Sequence, residues 1–140
     1  MDNMTILLVE DNPDDELLAL RALKKSSVPN QVVVVRDGQE ALDYVFGTGK
    51  YQDRDVRALP KVVFLDLQLP KLNGIEVLRS IRGDERTKRI PVVLLTSSDE
   101  IQDMVDCYES GANSYINKPC SNSHQRLLMS YYRKRTLYNL

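Results

Sequence analysis

Two cysteines in 140 residues, Cys107 and Cys120, are too few for a disulfide framework or a cysteine-based metal set, and read as reduced, partly buried thiols. The only histidine, His124, stands near the start of the last predicted helix. No apolar run approaches the roughly 20 residues that a membrane-spanning helix needs, and Met1-Asp2-Asn3-Met4 lacks the basic start of a signal peptide. The expectation is a cytoplasmic chain with no membrane partner. A net charge of −1 supplies no field that would draw in nucleic acid, so none is expected as a partner. No glycine-rich turn follows Val9, which argues against a dinucleotide-binding module. There is no internal repeat and no low-complexity tract. What remains is an ordinary globular composition, 42% hydrophobic and 28% charged, of a length that builds one core.

The most informative stretch is Lys61-Val62-Val63-Phe64-Leu65-Asp66-Leu67-Gln68-Leu69-Pro70. Four consecutive apolar residues, mostly β-branched or aromatic, predict a strand covered on both faces. Asp66 ends the run. A carboxylate there is costly to bury unless a cation or a set of donors faces it. On this stretch alone, a simple turn or capping aspartate is an equal reading.

Four further runs resemble it. Thr5–Val9 leads into Glu10-Asp11, Gln31–Val35 into Asp37-Gly38, and Pro91–Thr96 ends in hydroxyls, while Ser114–Asn117 precedes Lys118-Pro119. Between them lie helical patterns. Asn12-Pro13 and an acidic first turn open one with Leu17, Leu20, Ala22 and Leu23. Ala41, Leu42, Val45 and Phe46 form a second face; Ile75, Val77, Leu78 and Ile81 a third, ending at Gly83. A fourth carries Ile101, Met104, Val105 and Tyr108, closed by Gly111; a fifth carries Leu127, Leu128, Tyr131 and Tyr132. Gly47 to Pro60 reads as a polar surface excursion. The alternation predicts an α/β fold: a doubly wound five-stranded parallel sheet with five helices.

In such a fold, ligands bind beyond the carboxyl ends of the strands. Glu10, Asp11, Asp66, Thr96 and Lys118 fall there. Carboxylates on neighbouring strand ends make an oxygen-rich site for a hard cation, with Mg²⁺ the natural choice. A metal beside Asp66 keeps it ionised and nucleophilic. A phosphoryl group on Asp66 then needs positive charge and donors, which Lys118 and Thr96 supply. No positioned general base is present to hydrolyse the product quickly, so a slow switch fits better than a turnover enzyme.

Leu8-Val9-Glu10-Asp11-Asn12, Leu65-Asp66-Leu67-Gln68-Leu69-Pro70 with Asn73-Gly74, Leu94-Leu95-Thr96-Ser97, Ser110-Gly111-Ala112-Asn113 and Tyr115-Ile116-Asn117-Lys118-Pro119 together resemble the receiver domains of two-component response regulators. The resemblance implies a flavodoxin-like receiver fold. It implies Asp66 as phosphoacceptor from the phosphohistidine of a sensor histidine kinase. Mg²⁺ is then held by Asp11, Asp66 and the backbone carbonyl of Gln68, with Glu10 acting through water. By the same resemblance Thr96 bonds a phosphoryl oxygen, Lys118 pairs with the phosphate and Tyr115 is the aromatic switch. Chemistry is limited to self-phosphorylation from a donor and slow autodephosphorylation.

The long interval from Asp37 to Asp66, with its extra length in Gly47 to Pro60, is similar to stand-alone receivers of phytochrome-type histidine kinases. The expected organisation is a single receiver domain over residues 1–140, with a core at about 5–119, a last helix at about 122–138 and no output domain. Output then passes through another protein or a homodimer formed by the fourth helix, fifth strand and fifth helix. Tyr108, Tyr131, Tyr132 and Tyr138 read either as that face or as plain core. Arg133-Lys134-Arg135 reads as a solvated helix end rather than a nucleic-acid patch. Cys120-Ser121-Asn122-Ser123 departs from the receiver pattern, in which an apolar residue and an acidic cap follow the proline.

Two alternatives remain at this stage. A haloacid-dehalogenase-like phosphohydrolase also uses a strand-end aspartate with Mg²⁺, but needs a second acid where this chain has Gln68. A receiver-like interaction module would keep the fold and never be phosphorylated.

Overall fold

The β-branched and leucine-rich runs form the sheet the pattern predicts. A computed structural model describes residues 4–25, 30–96 and 101–117. In chain order the elements are β1 (Met4–Val9), α1 (Pro13–Lys24), β2 (Asn30–Val35), α2 (Gly38–Phe46), a 3-10 turn (Gly49–Tyr51), β3 (Val62–Asp66), α3 (Gly74–Arg82), β4 (Val92–Thr96), α4 (Ile101–Glu109) and β5 (Ser114–Asn117). The predicted fifth helix and its aromatics lie outside the described residues.

All pairings are parallel, in the order β2-β1-β3-β4-β5. The chain leaves β1 towards β2 and returns to place β3 on the other side of β1. The ends of β1 and β3 therefore flank the switch point, where a crevice opens between diverging connections. Side-chain alternation divides the core into two layers. Leu7, Val9, Val63, Leu65, Val92 and Leu94 meet α2 and α3 on one face. Ile6, Leu8, Val62, Phe64, Val93 and Leu95 meet Ala19 and Leu23 of α1 on the other. Every residue of β3 and β4 is buried, as expected for strands covered on both sides.

Three helices begin at the carboxyl end of the sheet, each capped by a side-chain carbonyl or carboxylate. Asn12 accepts from the Asp14 and Asp15 amides, Asp37 from Glu40, and Asn73 from Glu76. Such caps each contribute about 1 kcal/mol. No helix among the described residues is long and apolar enough to cross a membrane.

One expectation gains a detail and another changes. Gly47 to Pro60 lies on the surface, yet it is tied down. Arg54 lies over the Tyr44 ring, 4.3 Å from its centroid, and donates to the carbonyls of Tyr44, Val45, Asp55 and Ala58. Arg54 thus closes orphan carbonyls at the end of α2, a pairing invisible to a polarity reading. The apolar stripe assigned to α4 is also rotated. Among the described side chains of α4, Cys107 is the fully buried one, while Val105 and Tyr108 are 40% and 51% exposed. Val105 and Tyr108 are three apart and so share a helix face, but that face is not the one packed on the sheet. Tyr108 is therefore not core.

Candidate functional site

Two strand ends meet at the switch point. β1 runs out at Val9, so that Glu10 and Asp11 follow directly, and β3 ends on Asp66. Glu10 is 1% exposed and Asp66 4%, whereas Asp11 faces solvent. One carboxylate oxygen from each of the three lies within 4.8 Å of the others. Sequence spacing alone separates Asp66 from Glu10 by more than a third of the chain; parallel pairing of Val9 with Leu65 brings them together.

Backbone donors orient two of these acids. Gln68 N–H donates to Asp66 Oδ1 at 3.0 Å, and Asn12 N–H to Glu10 Oε2 at 3.3 Å. Gly74, the first residue of α3, presses on the chain just past Asp66: its N–H donates to the Leu67 carbonyl at 2.9 Å. A Cβ at Gly74 would fall 2.5 Å from the Asp66 carbonyl oxygen and 2.8 Å from Leu67 Cα. Only glycine permits so close an approach. In the sequence Asn73-Gly74 appears only among the receiver-like motifs; its contact with the main chain of Asp66 depends on how α3 docks.

Thr96 ends β4 and is 1% exposed, with Leu95 paired to Asp66 across the neighbouring strands. Its own register partner on β5 is Asn117. Tyr115, two residues earlier and opposite Leu94, is partly buried against the layer that contains α2 and α3. Lys118 follows Asn117 and lies outside the described residues, as do Ser97 and Cys120. The structure thus brings Glu10, Asp11 and Asp66 into one cluster and places Thr96 on the adjoining strand end. Gln68 enters through its backbone amide, two residues past the end of the strand.

Two nearly dry carboxylates beside a third acid repel one another strongly in a low-dielectric setting. The all-oxygen donor set answers that with a hard divalent cation. The residues fit such an ion.

A family model for the response regulator receiver domain matches residues 6–130. The chain belongs to the response regulator receiver domain family. It is a two-component receiver. Among relatives, it is 42% identical over 120 residues to the "Probable methanogenesis regulatory protein FilR2" of Methanothrix harundinacea, covering 86% of this chain and 75% of that one. It is 39% identical over 113 residues to response regulator Rcp1 of Synechocystis, covering 81% of this chain and 75% of Rcp1. The Mn²⁺-bound structure of response regulator Rcp1 superposes with a TM-score of 0.78 at 34% identity, over 91% of this chain and 90% of that one. The bacteriophytochrome response regulator AtBRR superposes with a TM-score of 0.82 at 47% identity, over 94% of this chain and 93% of that one. Each of these proteins is similar to this chain over most of its length.

Proposed function

We propose that Asp66 is the phosphoacceptor of this receiver and that Mg²⁺ is the ion held by Asp11, Asp66 and the Gln68 carbonyl, with Glu10 in support. The observation that carries this reading is the burial of Asp66 within the three-carboxylate cluster, at the end of a fully buried strand. When bound, Mg²⁺ supplies the positive charge that keeps these acids ionised together and offsets charge on a phosphoryl group.

The chain's own residues do the rest. Asp66 presents a carboxylate oxygen to the phosphorus of a phosphohistidine; the P–O bond forms as the P–N bond breaks, and the imidazole leaves on the kinase. The Gln68 amide holds Asp66 Oδ1 in place. The Thr96 hydroxyl donates to a phosphoryl oxygen, and Lys118 pairs with another. Movement of Thr96 towards the phosphate opens room beside β5, which Tyr115 fills as it turns inward. Side chains on two adjoining strands, Thr96 and Tyr115, support that coupling.

The phosphodonor is a sensor histidine kinase of the phytochrome type. Near-complete mutual coverage with AtBRR supports this choice. The activated surface is that of α4, β5 and the last helix. The exposed Val105 and Tyr108 on α4 support homodimer formation there.

Intact mass after Mg²⁺ and acetyl phosphate tests the reading. Wild type gains one phosphoryl group, about 80 Da; Asp66→Asn gains none, and wild type without Mg²⁺ gains none. No adduct on wild type would replace the phospho-switch with a receiver-like interaction module. Size exclusion of the phosphorylated sample reports on the dimer. Transfer from a purified phytochrome-type kinase, faster than from an unrelated kinase, reports on the pathway.

A further inference from the structure

Asp37 stands two residues past the end of β2, at the same end of the sheet as Asp66, and caps α2 through Oδ1, which accepts the Glu40 amide at 2.7 Å. Its other oxygen faces a different element. Lys71 Nζ lies 3.4 Å from Asp37 Oδ2. Lys71 belongs to the connection between Asp66 and α3, and its φ of +67° makes it the one non-glycine residue in left-handed backbone among the described residues. That conformation strains a side-chain-bearing residue, so neighbours must hold it.

The neighbours are on α2. The Gly38 amide donates to the Pro70 carbonyl at 3.4 Å, and Leu72 N–H turns back to the same carbonyl at 2.9 Å. A Cβ at Gly38 would collide with the Leu72 carbonyl and come 2.7 Å from Leu72 Cβ. The connection therefore lies flat on the start of α2, with Asp37 and Gly38 as its seat. The same connection contains Gln68, whose amide orients Asp66 Oδ1.

We propose that Asp37 is a positioning residue for the phosphoacceptor. Through its ion pair with Lys71 it holds the left-handed turn that sets the Gln68 backbone against Asp66. The role rests on Asp66 being the phosphoacceptor and Gln68 a carbonyl ligand to Mg²⁺. Asp37 touches neither the phosphoryl group nor the ion; it acts on both through the backbone of residues 68–72.

Asn caps a helix as well as Asp does, so Asp37→Asn keeps the bond from Glu40 and removes only the charge facing Lys71. Lys71→Gly adopts the same φ with no Cβ penalty and no need of Asp37. In the full chain, two readouts are compared for both single variants and the double variant. One is amide exchange at Gln68 and Leu72 in metal-free protein. The other is the Mg²⁺ concentration for half-maximal adduct formation from acetyl phosphate.

A partly exposed ion pair implies changes of about three- to fivefold. Asp37→Asn is expected to speed exchange and raise the Mg²⁺ requirement by that factor, with the rate at saturating Mg²⁺ and the thermal midpoint near wild type. Lys71→Gly stays near wild type, and adding Asp37→Asn to it changes nothing further. Unchanged readouts in Asp37→Asn, or an equal loss in the Lys71→Gly background, would overturn the proposal. If wild type forms no adduct, the phosphoacceptor reading fails, and amide exchange alone still shows whether Asp37 holds the turn.

Discussion

At Glu10 and Asp66, two carboxylates with almost no solvent exposure share a cluster with Asp11. Acids crowded this closely repel one another to the extent that no cation offsets their charge. Neutralising one acid should relieve this. In EDTA, Asp66→Asn is expected to be more stable than wild type by on the order of 1 kcal/mol, although most substitutions of buried polar residues destabilise. Urea midpoints of the two proteins check it; a lower midpoint for Asp66→Asn would mean the cluster is not under electrostatic strain. The same substitution abolishes phosphorylation under the proposed mechanism. Stability and function therefore part ways at this residue.

Among the elements, the end of α3 carries a fastening that mirrors Arg54 on α2. Arg82 Nε donates to the Gly111 carbonyl at 2.9 Å, Nη1 to Lys88 and Ile90 at 3.1 and 2.7 Å, and Nη2 to Asn113 Oδ1 at 2.7 Å. Asn113 Oδ1 also accepts the Val92 amide at 2.8 Å, so one guanidinium joins α3 to the segments entering β4 and β5. Removing it leaves several carbonyls in partly buried surroundings without that donor. Arg82→Ala is expected to cost about 2–3 kcal/mol. Urea unfolding with an unchanged m-value would show the loss as a shifted midpoint. Arg82→Lys should recover only part, because an ammonium lacks the planar fork that reaches four acceptors at once. Arg82 lies at the opposite end of β4 from Thr96, so metal binding should survive the change.

For the molecule as a whole, ion binding and folding are linked. An ion held only by the native state stabilises it by RT ln(1 + [L]/Kd), about 2.7 kcal/mol at a hundredfold excess over Kd. Mg²⁺ is therefore expected to raise the thermal midpoint of wild type by several degrees, saturating with concentration. Asp11→Asn removes the exposed acid of the cluster and should remove most of that rise. A midpoint indifferent to Mg²⁺ in wild type would place the ion elsewhere or nowhere. Membership in the receiver family joins this linkage to signalling, because the same strand ends hold the acids and Thr96.

Local chemistry was enough to read five strands from apolar runs, a helix start from Asn12-Pro13, and the acid-bearing strand ends from Glu10, Asp11 and Asp66. Hydrophobic periodicity and capping act between residues only a few positions apart, so they are legible in a linear string. Other features join residues distant in the chain and arise when helices settle on the sheet. Arg82 bonds to Gly111 and Asn113, 29 and 31 positions away. Val9 stands beside Leu65, Asp37 meets Lys71, and α4 turns Cys107 rather than Tyr108 inward. Charge pairing and packing depend on which surfaces meet. For these contacts the strand order and the docking angles carried the information.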